Sequence, residues 1–149
     1  MKMLKTALLL TLVGFISSFD SLGPDTSLSL TVKVDQLRNS NGVVQFTLYN
    51  KEGSIPDEHF ENYYRQLKAN IVNNSSSITF NNIPAGTYAI NILHDENRDG
   101  KIDKGWFLPV EGIGFSNFKS ISPLNRPNFK KAKFDLKATA SVKVNIIYM

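Results

Sequence analysis

From Leu28 onward, apolar and polar positions alternate in short runs separated by turn residues. Leu28, Leu30, Val32 and Val34 alternate with Ser29, Thr31, Lys33 and Asp35, the period-2 pattern of a strand with one buried face. Asn39-Ser40-Asn41-Gly42 follows, and Asn-Gly is a strong short-range hairpin signal. Val44, Phe46 and Leu48 begin the return strand, which ends at Tyr49. Further on, Ile78 and Phe80 lead through Ile83-Pro84-Ala85-Gly86 into Tyr88, Ile90, Ile92 and His94, which predicts a hairpin of Ser77–Asn81 with Thr87–His94. Ala132, Phe134 and Leu136 read as one more strand, and Val142, Val144, Ile146 and Tyr148 as the last.

The pattern breaks between Asn50 and Asn74. Phe60, Tyr64 and Leu67 recur there at helical spacing after Pro56, predicting a short helix over Asp57–Leu67. The sum is an all-β chain: an antiparallel β-sandwich of about seven strands, with one short helix in a long loop. The first and last strands are expected at sheet edges, with Lys33, Lys137 and Lys143 discouraging pairing with another chain.

The amino terminus changes the picture. Lys2 and Lys5 precede an apolar run from Ala7 to Ile16, and Ser17, Ser18 and Ser21 are small residues near a cleavage point. This is the arrangement of a secretory signal over residues 1–18, cut between residues 18 and 23. The run is too short for a membrane span, which takes about 20 apolar residues. Residues 19–27 are then a polar lead-in and residues 28–149 a single domain, exported to the periplasm or beyond. The formal charge of +4 falls once Lys2 and Lys5 are removed, to fifteen basic side chains against thirteen acidic ones, too even a balance for nucleic acid. The chain has no cysteine, which excludes disulfides, thiolate chemistry and cysteine-bound zinc. Only His59 and His94 offer imidazole.

The candidate chemistry lies where the Tyr88–His94 strand ends. Asp95, Asn97, Asp99 and Asp103 place side-chain oxygens at positions one, three, five and nine of a loop, with Gly100 at the sharp turn and the backbone carbonyl of Lys101 at position seven. A hard cation takes several such oxygens together, so the pattern points to Ca²⁺ rather than Mg²⁺. Position twelve is Trp106 instead of a bidentate Glu. Glu111 folded back, or Asp35, Glu52 or Asp57 from elsewhere, or water, completes the shell. The same residue types also serve an Asx-rich turn that binds nothing. Trp106 and Phe107, with Tyr63 and Tyr64, form a second candidate, an aromatic surface for a small ligand, a glycan or a protein. His94 beside Asp95, Glu96 and Glu111 is the place a hydrolase would use, although no nucleophile elbow, phosphate loop or HExxH accompanies it.

Several stretches together resemble an uncharacterised bacterial secreted family, domain of unknown function 2141. They are Pro84-Ala85-Gly86-Thr87-Tyr88-Ala89, His94-Asp95-Glu96-Asn97 with Gly100-Lys101-Ile102-Asp103, and Pro109 to Glu111 leading to Gly114-Phe115-Ser116-Asn117. Pro127, Phe129, Ala132 and Phe134 fit its closing motif. The resemblance implies export and a compact sandwich of immunoglobulin or prealbumin type. Modules of that kind serve as stalks, adhesive domains and binding accessories. The expectation is therefore a monomeric, non-catalytic module facing an envelope or extracellular protein or a glycan.

Overall fold

The structure is a computed structural model that describes residues 27–106 and 108–149. The secretory signal expected over residues 1–18, all but the last residue of the expected lead-in, and Phe107 lie outside the described residues. Eight strands and one helical turn follow in order: β1 (Leu28–Val34), β2 (Val43–Tyr49), β3 (Arg65–Ala69), β4 (Ser76–Ile83), β5 (Gly86–Asp95), β6 (Gly112–Phe115), α1 (Phe129–Ala132), β7 (Phe134–Leu136) and β8 (Ala140–Lys143). They form two facing sheets, a sandwich rather than a closed barrel. One sheet has the order β4-β1-β8, the other β3-β2-β5-β6, with β7 added against the start of β5. All pairings are antiparallel except β1 with β8, which run parallel. Among the described residues no helix is long and apolar enough to cross a membrane.

The alternation read from the sequence turns the same side chains inward. Leu30, Val32 and Val34 from β1 meet Val44, Phe46 and Leu48 from β2 and Tyr88, Ile90 and Ile92 from β5 in the main core. Burial of this apolar surface is the dominant stabilising contribution.

Neither of the two hairpins expected from the turn residues forms. β1 and β2 lie in different sheets, and so do β4 and β5. Each turn carries the chain across the sandwich. Alternation shows which face a strand buries, and a turn motif shows that the chain reverses, but neither says which sheet receives the next strand. At the first crossing Gly42 has φ +71°, and a Cβ there would lie 2.0 Å from the Asp95 carbonyl oxygen. Only glycine fits that approach.

The helix expected over Asp57–Leu67 is also absent. Asp57 accepts hydrogen bonds from the backbone N–H of Glu61 (3.0 Å) and Asn62 (2.9 Å), and Phe60 has φ +54°. The segment is thus a side-chain-capped turn. Beyond it, Arg65–Ala69 takes up the open edge of β2, with Leu67 opposite Phe46. The helical turn falls instead at Phe129–Ala132, where the Asn128 side chain accepts from Lys131 N–H, so the strand expected to begin at Ala132 begins at Phe134. β1 is central rather than an edge, and Lys33 guards nothing there; of the two only β8, with Lys143, is an edge. The last strand stops at Lys143. The chain then crosses to the other sheet, where Ile147 exchanges two backbone hydrogen bonds with Ile113 (2.9 and 2.8 Å).

β5 is buried on both faces. Ala89 and Leu93 point away from the main core into a second apolar layer with Tyr49, Ile55, Phe60, Ile113, Phe115, Phe118, Phe129 and Ala132. Ile55 and Phe60 after β2, Ile102 before β6, and Phe118, Ile121, Phe129 and Ala132 after it therefore roof the outer face of the β2-β5-β6 sheet. That double burial is what positions the candidate site.

Candidate metal site

β5 delivers His94 and Asp95 to opposite faces at its end, both fully buried. His94 Nε2 donates to the Asn41 carbonyl oxygen at 3.0 Å, which leaves Nδ1 to accept from the Tyr148 hydroxyl at 2.7 Å. Both ring nitrogens are therefore used inside the fold. Tyr148 oxygen in turn accepts the Arg38 backbone N–H at 3.0 Å. The Arg38 guanidinium stacks 4.8 Å above the Tyr148 ring and grips Glu96 with two hydrogen bonds, 2.6 and 2.8 Å. Hydrogen bonding from Arg38 holds the Glu96 carboxyl below its ordinary value.

On the other face, Asp95 Oδ2 accepts from the Gly100 backbone N–H at 3.0 Å and from Lys68 Nζ at 3.2 Å. Gly100 has φ +74°, so the sharp turn sits where the loop pattern requires it. Asp95 Oδ1 is buried and has no hydrogen-bond partner, and the same is true of Gln45 Nε2. Such groups carry a large desolvation penalty and call for an explanation.

Asn97, Asp99 and Lys101 are exposed, Asp103 is half-buried, and these loop residues bind one another. Asn97 Oδ1 accepts from Asp99 N–H (2.9 Å), and Asp99 Oδ1 from Lys101 N–H (2.8 Å). Asn97 Nδ2 donates to Asp103 Oδ2 at 2.8 Å. These are Asx turns nested along the loop. Glu111 does fold back. It is buried, and it accepts from Glu96 N–H at 2.8 Å and Asp103 N–H at 3.4 Å, clasping both ends of the loop. Burial pushes its carboxyl up, an effect opposed by those two backbone donors. Asp35 is elsewhere, paired with Lys143 at 2.7 Å, and Asp57 caps its own turn. Glu52 sits on an exposed turn.

The donor set is all oxygen, which suits a hard cation, and one buried carboxylate oxygen of the first loop position lacks a partner. Among the described residues, however, no three acidic, histidine or cysteine side chains converge on one point. The fit is that of a loop with its anchor in place and its outer oxygens engaged in internal turns.

The four aromatic candidates are not gathered into one surface. Trp106 is 95% exposed and borders a hollow with Arg38, Pro109, Val110 and Met149. Tyr63 and Tyr64 border a different hollow beside the Asn50–Ser54 turn, and Tyr64 leans on Tyr88 at 6.0 Å. Phe107 lies outside the described residues.

Sequence reasoning missed Arg38, Gln45, Lys68 and Tyr148, which complete the surroundings of the loop. Only Gln45 left a trace, as a polar residue in an otherwise apolar run. The others come from the β1–β2 connection, from β3 and from the segment after β8, and carry no local signal.

No curated protein and no solved structure matches the chain. A family profile described as an uncharacterized protein conserved in bacteria (DUF2141) matches residues 32–145, spanning both sheets and the loop. The chain belongs to the DUF2141 family.

Proposed function

We propose that this chain is a non-catalytic β-sandwich module, exported from the bacterial cell, whose Asp95–Asp103 loop binds Ca²⁺ as a structural ion. The observation that carries the reading is the buried, unpartnered Oδ1 of Asp95 at the head of an oxygen-rich loop. Asp95, Asn97, Asp99 and Asp103 would hold the ion through side-chain oxygens, Lys101 through its carbonyl, and Glu111 would brace the shell. Bound there, the cation supplies charge neutralisation and crosslinks a loop otherwise held by Asx turns. The residues 1–18 segment supports export. His94 supports a structural role, since neither ring nitrogen is left for a substrate.

An ion that binds only the folded chain stabilises it by RT ln(1 + [L]/Kd), about 2.7 kcal/mol at a hundredfold excess over Kd. For a domain of this size that is a rise of roughly 10 °C in melting temperature. Melting in EDTA and in millimolar Ca²⁺ is expected to show this rise, with a smaller one in Mg²⁺. Asp99→Ala, an exposed position, is expected to abolish the Ca²⁺ response while leaving the EDTA melt nearly unchanged. Equal melting of the wild type with and without Ca²⁺ would overturn the reading.

A further inference from the structure

The second apolar layer is incompletely filled. Between the outer face of β5 and β6 and the connections before and after β6 lies a cleft of ≈ 390 Å³, lined by Ile102, Pro109, Ile113, Phe115, Ile121 and Asn91. Asn91 is 4% exposed, in the middle of β5, directly opposite Phe115. Its Oδ1 is buried and has no hydrogen-bond partner. An amide in that position is costly unless something satisfies it. Asn91 is the one buried polar side chain of the lining, whose other polar members, Asp57, Glu58, Lys104, Ser122 and Arg126, are half-buried or exposed. At the mouth, Lys104 is paired with Glu58, and Arg126 is exposed.

We propose that this cleft is a binding site for a small neutral molecule with an apolar body and a terminal carboxamide, which pairs with the side chain of Asn91. The volume lies within the ~300–1,000 Å³ of typical small-molecule sites, and an apolar wall with one placed polar group is their usual chemistry. A carboxamide offers one acceptor and two donors, the complement of the Asn91 side chain. An anionic head is disfavoured beside Asn91, because the two cations of the lining, Lys104 and Arg126, are both exposed and a buried charge without a partner is strongly penalised. The site does not use Trp106, Tyr63 or Tyr64, and it does not depend on an ion in the Asp95–Asp103 loop.

The test is a titration of the ¹⁵N-labelled chain with three probes: benzamide, benzoate and toluene. Benzamide is expected to shift the Asn91 side-chain NH₂ resonances saturably, together with the amides of Ile113 and Phe115. It should bind about tenfold more tightly than either of the others. Asn91→Leu is expected to weaken benzamide about tenfold and leave toluene unchanged or tighter. Should that variant fail to fold, Ile121→Trp, at a half-buried roof position, fills the cleft and is expected to abolish binding of benzamide. Three results overturn the proposal. One is no saturable shift at Asn91 up to the solubility limit of benzamide. Another is benzamide affinity unaltered in a folded Asn91→Leu or Ile121→Trp variant. The third is benzoate binding most tightly and losing its affinity in Arg126→Ala, which would place recognition at the mouth instead.

Discussion

Glu96 illustrates how much of this fold is decided by single side chains. Two hydrogen bonds from Arg38 keep its carboxyl below the ordinary 4.5. A folded-state value below the unfolded one contributes stability above pH 4.5 that is lost as pH falls through the folded value. Arg38 is 40% exposed, so screening limits the pair to about 1 kcal/mol. Denaturant melts of the wild type and Glu96→Gln are expected to differ by that amount near pH 7 and to converge as pH falls through the lowered folded-state value of Glu96. A gap that stayed constant with pH would mean that the ion pair does not supply it. Glu111 works in the opposite sense, since burial raises its carboxyl and favours folding with the proton on. At this scale the sequence was legible where chemistry is local. Gly100 makes the sharp turn its spacing suggested, and Glu111 folds back onto the loop. Tyr148 and Lys68 were illegible, because their hydrogen bonds to His94 and Asp95 join parts of the chain far apart in sequence and have no spacing to read.

The elements show the same division. Each inward-facing set in β1, β2 and β5 was visible as alternation, because a buried face constrains every second residue. The partners of those strands were not visible, and both tight turns join different sheets. The stretch Asp57–Leu67, which ends inside β3, reads as a helix because Phe60, Tyr64 and Leu67 fall at helical spacing. The Asp57 cap and the open edge of β2 outweigh that spacing, since an edge supplies backbone hydrogen bonds that a short isolated helix must find within itself. The closing segment is held through close contact rather than a long ladder. A Cβ on Gly114 would meet the Asn145 carbonyl oxygen at 2.2 Å and Ile92 at 2.9 Å. Gly114→Ala is therefore expected to destabilise by about 1–3 kcal/mol or more and to pry the segment after Lys143 from β6. Calorimetry, with hydrogen exchange at Ile147, checks both parts. An unchanged melting temperature would show that the contact yields easily.

For the molecule as a whole, the two sheets are unequal. The β2-β5-β6 sheet is covered on both faces, whereas the outer face of the β4-β1-β8 sheet is polar, carrying Thr31 against Thr79 at 2.9 Å and Ser29 against Asn81 at 3.0 Å. Local opening draws on the less covered parts first. Native-state hydrogen exchange is expected to place the β5 amides among the slowest and those of β8, an edge strand, among the fastest; the reverse order would contradict this layering. The sandwich was legible in the sequence because a single buried face is enough to reveal it. The second layer was not, because its residues come from irregular connections without a period. The same uneven burial governs how the protein looks to light. Its only tryptophan, Trp106, already stands in water in the folded state, while Tyr49 and Tyr88 sit in the two apolar layers. The wavelength of tryptophan emission is therefore expected to shift little as the chain unfolds, and the buried tyrosines carry more of the optical record of folding.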